Sequence, residues 1–392
     1  MTLAPRLCVV GLGRVGLPTA AAFAAAGLSV LGADTDAHVV ASVNAGRPPF
    51  REPGLPELLA GCIADGTLRA AAAPEPADGF ILAVPTPLRG RQPDLSHLYE
   101  AARAIAPVLR AGDLVVVEST VPVGTTAALG RLLPAGVHLA HCPERATPGN
   151  TLAELAAVPR VIGGVTEDAA KRAAALYARI ARAPAVLTDA RTAELTKLAE
   201  NASRDVAIAF ANELADLCAA LGVDADEAIR LANLHPRVGI LRPGIGVGGH
   251  CLPVDPWFLV AAAPNEARLI RTARTVNDAR PARIAAAICD RVAGLRDPVI
   301  ACLGLTYKKD SDDLRNSPAL AIVRLLAETR AGELLVVEPN LSSLPAGLDA
   351  RLCELDAALA RADCAVVLVD HKEFGGLPRG AVPRLTINQP DL

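Results

Sequence analysis

The chain has 392 residues, 52% of them hydrophobic and 3% aromatic, with a formal net charge of −3. That length allows two or three domains with substantial cores. Scarce aromatics and no long run of lysine or arginine argue against a nucleic-acid partner, and no apolar run reaches the ~18 residues that span a bilayer, so no membrane partner is expected.

The opening, MTLAPRLCVVGLG, passes straight into a strand pattern and lacks a signal-peptide cleavage pattern, so a cytoplasmic protein is expected. Its nine cysteines are scattered, with no C-x-x-C pair and no zinc-ligand spacing. They suit a reducing compartment, and no metal site is expected.

Leu7 to Val10 is an apolar run with the character of a buried parallel strand. It leads directly into Gly11-Leu12-Gly13-Arg14-Val15-Gly16, and Leu17 to Ala26 then has a helical pattern stopped by Gly27. A second apolar run, Leu28 to Gly32, finishes at Asp34. Strand, glycine loop, helix, strand and acid are the order of a dinucleotide site. Gly11 permits the tight turn, Gly13 lets a pyrophosphate approach the backbone, and Gly16 allows close packing at the helix start. An acid about 20 residues after the loop favours a free ribose 2′-hydroxyl, so Asp34 predicts NAD over NADP. Three glycines can also meet by chance in a flexible loop, but the flanking strands and the acid speak against that.

Further parallel strands are predicted at Gly79–Val84, Leu114–Glu118 and Val137–His141, with a helix over Leu95–Ala111. Loops holding Thr86, Thr120 and Glu144 follow the three strands, on the side where ligands bind in open α/β sheets. Taken singly, Thr120 also fits a turn former and Glu144 a helix-entry acid. Three such loops together favour a site.

Ala190 to Leu221 contains no proline and has one long helical pattern, with Gly222 as its stop. Leu195, Leu198, Ala199, Val206, Phe210, Leu214 and Leu217 predict a broad buried stripe. Lys197 and Asn201 sit four residues apart, on one face. Such a pair can simply solvate a helix, or it can aim donors at developing negative charge. A helix over Asp224–Ala232 and a Pro236–Gly239 turn follow, then Gly246–Trp257, GVGGHCLPVDPW. There Cys251 follows a glycine-rich approach and precedes Asp255 by four residues, which suits a nucleophile or an accident of packing. Ala267–Val276 and Pro281–Val292 are predicted as two more helices.

After a Gly294–Asp297 linker, Pro298–Leu305 is a new apolar strand, with later strands at Glu333–Val337 and Cys364–Val369. The alternation implies a second parallel sheet. The first of these strands leads into TYKKDSDDLRNSP, whose lysines and arginine can hold phosphate. A charged surface loop fits these residues equally well. The fold expected is α/β: two Rossmann-like parallel-sheet domains joined by a long central helix and a helical dimerisation region. Its divisions are 1–188 (NAD-binding), 189–293 (central helical, carrying the cysteine loop) and 294–392 (UDP-binding, on the resemblance below).

Across nearly the whole chain, these motifs resemble the UDP-glucose/GDP-mannose dehydrogenase family. They stand closest to its branch acting on UDP-N-acetyl-mannosamine and UDP-N-acetyl-glucosamine. The resemblance rests on STVPVGT (119–125), CPER (142–145), ELTKLAEN (194–201), RDVAIAFANE (204–213), GVGGHC (246–251), VDPWF (254–258) and DDLR (312–315). It implies oxidation of the sugar C6 alcohol to a carboxylate by two hydride transfers to NAD, within a homodimer or higher homo-oligomer. By the same resemblance Cys251 is the nucleophile that turns the aldehyde into a hydride donor and then forms a thioester. Lys197 and Asn201 match groups that stabilise oxyanion charge, while Asp255, Thr120 and Glu144 match groups that place water and relay protons. Thr86 and Arg315 match cofactor contacts, as does Thr120. Glu144, Arg145, Lys197, Asn201, Arg204, Arg237, Gly248 and Lys308 match the substrate side, Arg237 reaching it from a partner subunit.

Departures from the branch pattern stand at Gly239, Arg242, Ile245, Leu252 and Pro253, all expected near the sugar, and at Asn150, where the branch commonly has arginine. Pro148 stands where the UDP-glucose branch has a second glutamate, in agreement with the N-acetylhexosamine branch. UDP-N-acetylmannosamine is the substrate favoured. UDP-N-acetylglucosamine, UDP-glucose or an unusual UDP-sugar, and a two-electron oxidation on the same architecture, stay open.

Overall fold

The structure, a computed structural model, describes residues 6–147, 149–375 and 384–386. They fall into two compact units, Met1–Ala199 and Glu200–Leu392.

The first unit is built on apolar runs that become strands: β1 (Arg6–Val10), β2 (Ser29–Ala33), β3 (Leu68–Ala71) and β4 (Gly79–Leu82). A small hairpin, β5 (Leu88–Arg89) and β6 (Gln92–Pro93), precedes β7 (Leu114–Val117), β8 (His138–His141), β9 (Arg160–Gly164) and β10 (Ala185–Asp189). The large sheet runs β10-β9-β8-β7-β4-β1-β2-β3. Its strands β4 and β7, GFIL and LVVV, are buried throughout, as helices on both faces require. Those helices are α1 (Gly16–Ala25), α2 (Ala37–Asn44), α3 (Leu55–Ala64), α4 (Ser96–Ile105), α5 (Thr125–Leu129), α6 (Thr151–Ala157) and α7 (Glu167–Tyr177). β1 pairs with β2 on one side and β4 on the other. Strand order therefore reverses there, which opens a crevice at the strands' carboxyl ends.

Helix α8 (Ala190–Leu221) starts in the first unit and continues into the second. After it come α9 (Ala225–Ala232), capped by the Asp224 carboxylate, α10 (Asp255–Ala262) and α11 (Arg268–Val292). A five-stranded parallel sheet follows, ordered β13-β12-β11-β14-β15. It comprises β11 (Val299–Leu303), β12 (Glu333–Val337), β13 (Arg351–Leu352), β14 (Cys364–Val367) and β15 (Arg384–Thr386), with α12 (Pro318–Glu328) and α13 (Leu355–Arg361) between strands. The predicted sheets and the long helix are present.

Four expectations need correction. The first sheet is not wholly parallel: β8 and β9 pair antiparallel, so β9 and β10 run against the other six strands. The helix predicted over Leu95–Ala111 stops at Ile105 and tightens into a 3₁₀ turn, Ala106–Val108, because Pro107 has no N–H to continue the ladder. Pro281 lies inside α11 and starts no new helix. Its ring lies against the Gly246 backbone, where an added Cβ would come within 3.3 Å of it.

The stripe on α8 is the fourth. Leu198 is buried, but Leu195, Phe210 and Leu217 are 47%, 57% and 50% exposed. The inward face instead carries Asp205, Ile208, Ala209 and Asn212. Hydrophobic periodicity misplaced the face because α11 offers polar partners to it. Arg274 donates to Asp205 at 2.6 Å, and Asn277 donates to the Asp205 carboxylate and carbonyl at 2.8 and 3.0 Å. Asn212 donates to Asn277 at 2.9 Å and accepts from the Gly244 N–H at 2.7 Å. Arg280 donates to the Gly244 carbonyl at 2.8 Å and to Asp216. Burial pushes the Asp205 carboxyl up, against the pull of Arg274.

Removing one partner of a sealed ion pair typically costs about 3–5 kcal/mol. Arg274→Ala should therefore lower the unfolding free energy by that amount, read by circular dichroism as a lower urea midpoint at an unchanged denaturant slope.

Candidate active site

In the first unit the glycine loop closes the crevice between β1 and β4. Gly11 sits at φ +93°, and a Cβ there would lie 2.7 Å from the Ala83 carbonyl oxygen. At Gly16 a Cβ would fall 1.9 Å from the Gly11 carbonyl oxygen. Both glycines are thus demanded by the loop's own packing. Gly13 differs, since a Cβ there would meet nothing within 4 Å, leaving its backbone open to a ligand. Val15 caps α1 without a side-chain hydrogen bond. Leu17 and Thr19 N–H donate to the Gly13 and Val15 carbonyls and Pro18 has no N–H, so the Gly16 N–H is the donor the helix start leaves for an anion.

Asp34 closes the loop from the end of β2. One oxygen accepts from Leu12 N–H at 2.8 Å and the other from Asp36 N–H at 2.9 Å, leaving lone pairs on both for a diol. Leu12 turns its side chain onto Gly32, and the Arg14 guanidinium covers the Phe50 ring at 5.4 Å. These residues fit a dinucleotide: room at Gly13, the Gly16 N–H at the helix start, and an oriented acid.

The loops after β4, β7 and β8 add the next groups. Thr86 donates to the Thr120 carbonyl at 2.7 Å, so the two loops are tied together. Glu144 accepts from the N–H groups of Arg145 and Ala146 at 2.7 and 2.6 Å. Its other oxygen lies 3.4 Å from Arg160. The Arg145 side chain donates to the Pro159 carbonyl at 2.6 Å. Lys197, on the inward face of α8, is 9% exposed. Burial, reinforced by the Lys197 ammonium, pushes neighbouring His141 down to about 3, so that imidazole stays neutral.

Composition and spacing did not single out the groups that brace these loops. Glu194 accepts the Gly124 and Thr126 N–H groups at 2.5 and 2.7 Å, fixing the start of α5 from α8. Glu52 takes the N–H groups of Gly149 and Thr151 at 3.0 and 2.8 Å, fixing the start of α6. Asn150, one of the departures, stands at the N-cap position of that helix without a side-chain capping bond and donates to Glu154 at 3.0 Å. The Glu194 and Glu52 pairings link residues about 70–100 apart in sequence, so no local signal marks them.

In the second unit the cysteine loop is held from both ends. The polar seam fixes Gly244, as described above. Gly248 and Gly249 lie so close to Tyr307 that a Cβ on either would come within 2.6 and 3.0 Å of its ring or stem. Gly249 N–H donates to the Arg315 carbonyl at 3.0 Å, and Asn316 donates to the Gly249 carbonyl at 2.8 Å. Cys251 follows this clamp. Its carbonyl accepts from Val254 and Asp255 N–H at 2.9 and 2.8 Å, turning the chain into α10. Asp255, 2% exposed, accepts from the Asn201 amide at 2.5 Å. The Arg315 guanidinium, held by Asp313 at 2.6 Å, lies in electrostatic range of Cys251.

Among the nine cysteines Cys251 is half-buried on this loop, while six others are sealed. Burial pushes Cys8 up to about 11 and Cys142 and Cys302 up to about 12, so those thiols stay protonated. Of the other predicted contacts, Lys308 is half-buried beyond β11, and its carbonyl accepts the Thr306 hydroxyl at 2.9 Å. Arg204 and Arg237 lie on exposed positions. Ile245 is buried with Ile284, Ile288 and Leu320, so that departure is a packing change.

Three family models match in order: the NAD binding domain of the UDP-glucose/GDP-mannose dehydrogenase family over residues 5–181, its central domain over 191–279 and its UDP binding domain over 301–389. The chain belongs to the UDP-glucose/GDP-mannose dehydrogenase family. It is 50% identical over 385 residues to an NDP-N-acetyl-D-galactosaminuronic acid dehydrogenase of Ralstonia nicotianae, covering 94% of this chain and 91% of that one. With a UDP-N-acetyl-D-mannosamine dehydrogenase of Campylobacter jejuni it shares 47% identity over 390 residues, covering 94% and 96%. Among solved structures, a UDP-D-ManNAc dehydrogenase from Pyrococcus horikoshii superposes with a TM-score of 0.86 at 40% identity, covering 95% of this chain and 91% of that one. This family member is an NAD-dependent UDP-sugar dehydrogenase, as its sequence motifs imply.

The packing separates the glycines by role, and two variants test it. Gly13→Val should keep the melting temperature of the parent and weaken NADH binding at least about tenfold, equivalent to about 1.4 kcal/mol, in a fluorescence titration. Gly16→Ala should lower the melting temperature itself.

Proposed function

We propose that this enzyme oxidises the C6 alcohol of a UDP-N-acetylhexosamine to the uronic acid through covalent attachment to Cys251. The observation that carries this reading is the placement of Cys251: a partly accessible thiol on a loop clamped at Gly244 and Gly249, with Arg315 in electrostatic range. A part-buried Asn201–Asp255 pair sits at the start of the following helix.

Gly11–Gly16 and Asp34 would hold NAD, which would supply the hydride acceptor, and Thr86, Thr120 and Arg315 are assigned as its further contacts. The protein's own residues do the rest. Lys197 and Asn201 stabilise the oxyanions that form at C6. An aldehyde is a poor hydride donor, so the Cys251 sulfur adds to it and makes a tetrahedral thiohemiacetal. Loss of the second hydride leaves a thioester. Water then attacks the thioester carbon, the C–S bond breaks, and the Cys251 thiolate departs. Asp255, Thr120 and Glu144 orient that water and take up its proton. One alcohol and one water thus become a carboxylate, with two hydrides and three protons released.

Arg145, Arg204, Arg237, Gly248 and Lys308 are assigned to the substrate, Lys308 on the UDP side. UDP-N-acetylmannosamine is the favoured sugar, supported by the relatives that act on it. The Ralstonia relatives favour a galacto-configured N-acetyl sugar as the second reading. The domain divisions proposed are 1–188, 189–293 and 294–392.

A homodimer or higher homo-oligomer is also proposed. It is supported by exposed Phe210, Leu217 and Leu221 along one side of α8, together with Leu231 and Leu234. Contiguous exposed apolar residues of this kind mark interaction surfaces. Among the described residues no helix is long and apolar enough to cross a membrane, and a cytoplasmic location is proposed.

A panel of UDP-sugars, with NADH counted by absorbance and products read by mass spectrometry, tests the reading. Two NADH per uronate are expected, with the N-acetyl sugars preferred. One NADH per product, or an unchanged NADH yield in Cys251→Ala, would contradict it. Loss of one oxyanion donor, as in Asn201→Ala, should cost about 10²–10³ in turnover.

A further inference from the structure

Behind Glu144 lies a buried ionic cluster that the proposed chemistry does not use. Glu118, at the end of β7, is 1% exposed. Tyr177 of α7 donates to one of its oxygens at 3.0 Å, and the other has no hydrogen-bond partner among the described residues. Arg160 of β9, 5% exposed, stands between Glu118 at 4.0 Å and Glu144 at 3.4 Å. It also covers the Tyr177 ring at 4.6 Å and reaches the Cys142 sulfur at 3.8 Å. The groups facing Glu118 are therefore Tyr177, Arg160, Glu144 and Cys142, with the Thr19 hydroxyl from α1.

One cation faces two carboxyl groups, Glu118 sealed from water and Glu144 with its side chain 10% exposed. Only one of the two can ionise at modest cost. The Arg145 and Ala146 N–H groups favour placing that charge on Glu144, and Glu118 keeps its proton. Burial, reinforced by the Glu144 charge, pushes the Glu118 carboxyl up to about 8. The Tyr177 hydroxyl, itself pushed up by burial, remains a donor.

We propose that Glu118 and Arg160 are positioning residues for Glu144: while Glu118 holds its proton Arg160 steadies the Glu144 carboxylate, and loss of that proton draws the guanidinium away. This rests on the reading of Glu144 as a group that handles water in the reaction.

The test is kcat against pH from 6.5 to 9.5, by NADH formation, for the parent, Glu118→Gln, Tyr177→Phe and Glu144→Gln. The parent should lose turnover above pH 8, about tenfold by pH 9 for one group titrating there. Glu118→Gln, a neutral mimic of the protonated acid, should carry its pH 7 turnover on to pH 9 with KM unchanged. Tyr177→Phe removes a hydrogen bond that favours the charged form, so it should move the alkaline limb to higher pH.

Stability gives a second readout. Glu118 sits above its ordinary value of 4.5 in the folded chain. Unfolded chains ionise it first, so the parent loses stability as pH rises from about 4.5 to about 8 and no further beyond. The melting temperature of Glu118→Gln should exceed that of the parent by a margin that widens across that window. An alkaline limb that survives Glu118→Gln, or a parent with no limb, overturns the proposal while loss of turnover in Glu144→Gln leaves the reading of Glu144 standing. Full turnover in Glu144→Gln removes that reading, and the proposal with it.

Discussion

A guanidinium sealed between two helices sets the geometry of the second unit. Arg274 and Asp205 are each almost wholly buried, and their pairing forces α8 and α11 to meet along polar faces. Once that register is fixed, Asn212 and Arg280 are brought to the two sides of the Gly244 peptide. The loop toward Cys251 thus starts from a backbone unit whose N–H and carbonyl are both held. Desolvated charge is an expensive way to join helices. Its merit is direction: apolar faces tolerate sliding, whereas these pairs allow a single register.

The same arrangement explains what was legible in the sequence and what was not. Strands such as β4, β7 and β12 are continuous apolar runs, and the first glycine loop has flanking elements on both sides, so they could be placed from pattern alone. The extent of α8 followed from the absence of proline and the glycine at its end. Its buried face did not follow, because Asp205 and Asn212 point inward to partners about 65–70 residues away, and hydrophobic periodicity cannot register a polar seam. Pro281 misled for a related reason. A proline normally ends a helix, yet here its ring fills the space beside Gly246.

The candidate catalytic residues divide in the same way. Cys251, Lys197 and Asn201 stood out by type and spacing, and the resemblance gave them roles. The carboxylates that brace the loops, Glu52, Glu118 and Glu194, were invisible, since each works on backbone or side chains about 40–100 residues distant. Local pattern marks the groups that meet a ligand better than those that hold them still. Among the departures from the branch pattern, burial reclassified Ile245 as core and hydrogen bonding explained Asn150. For Gly239, Arg242, Leu252 and Pro253 the structure offers no explanation.

Gly246 is wedged between two prolines: an added Cβ would meet Pro318 at 3.2 Å and Pro281 at 3.3 Å. Three positions spread over more than seventy residues are thereby bound to a shared fate. At φ +131° a side chain at 246 is strained whatever the space around it, and a Cβ there would also ask both rings to give by a few tenths of an ångström. The approach to the cysteine is therefore locked twice at one residue, by a backbone angle that suits glycine and by two rings that leave no slack around it.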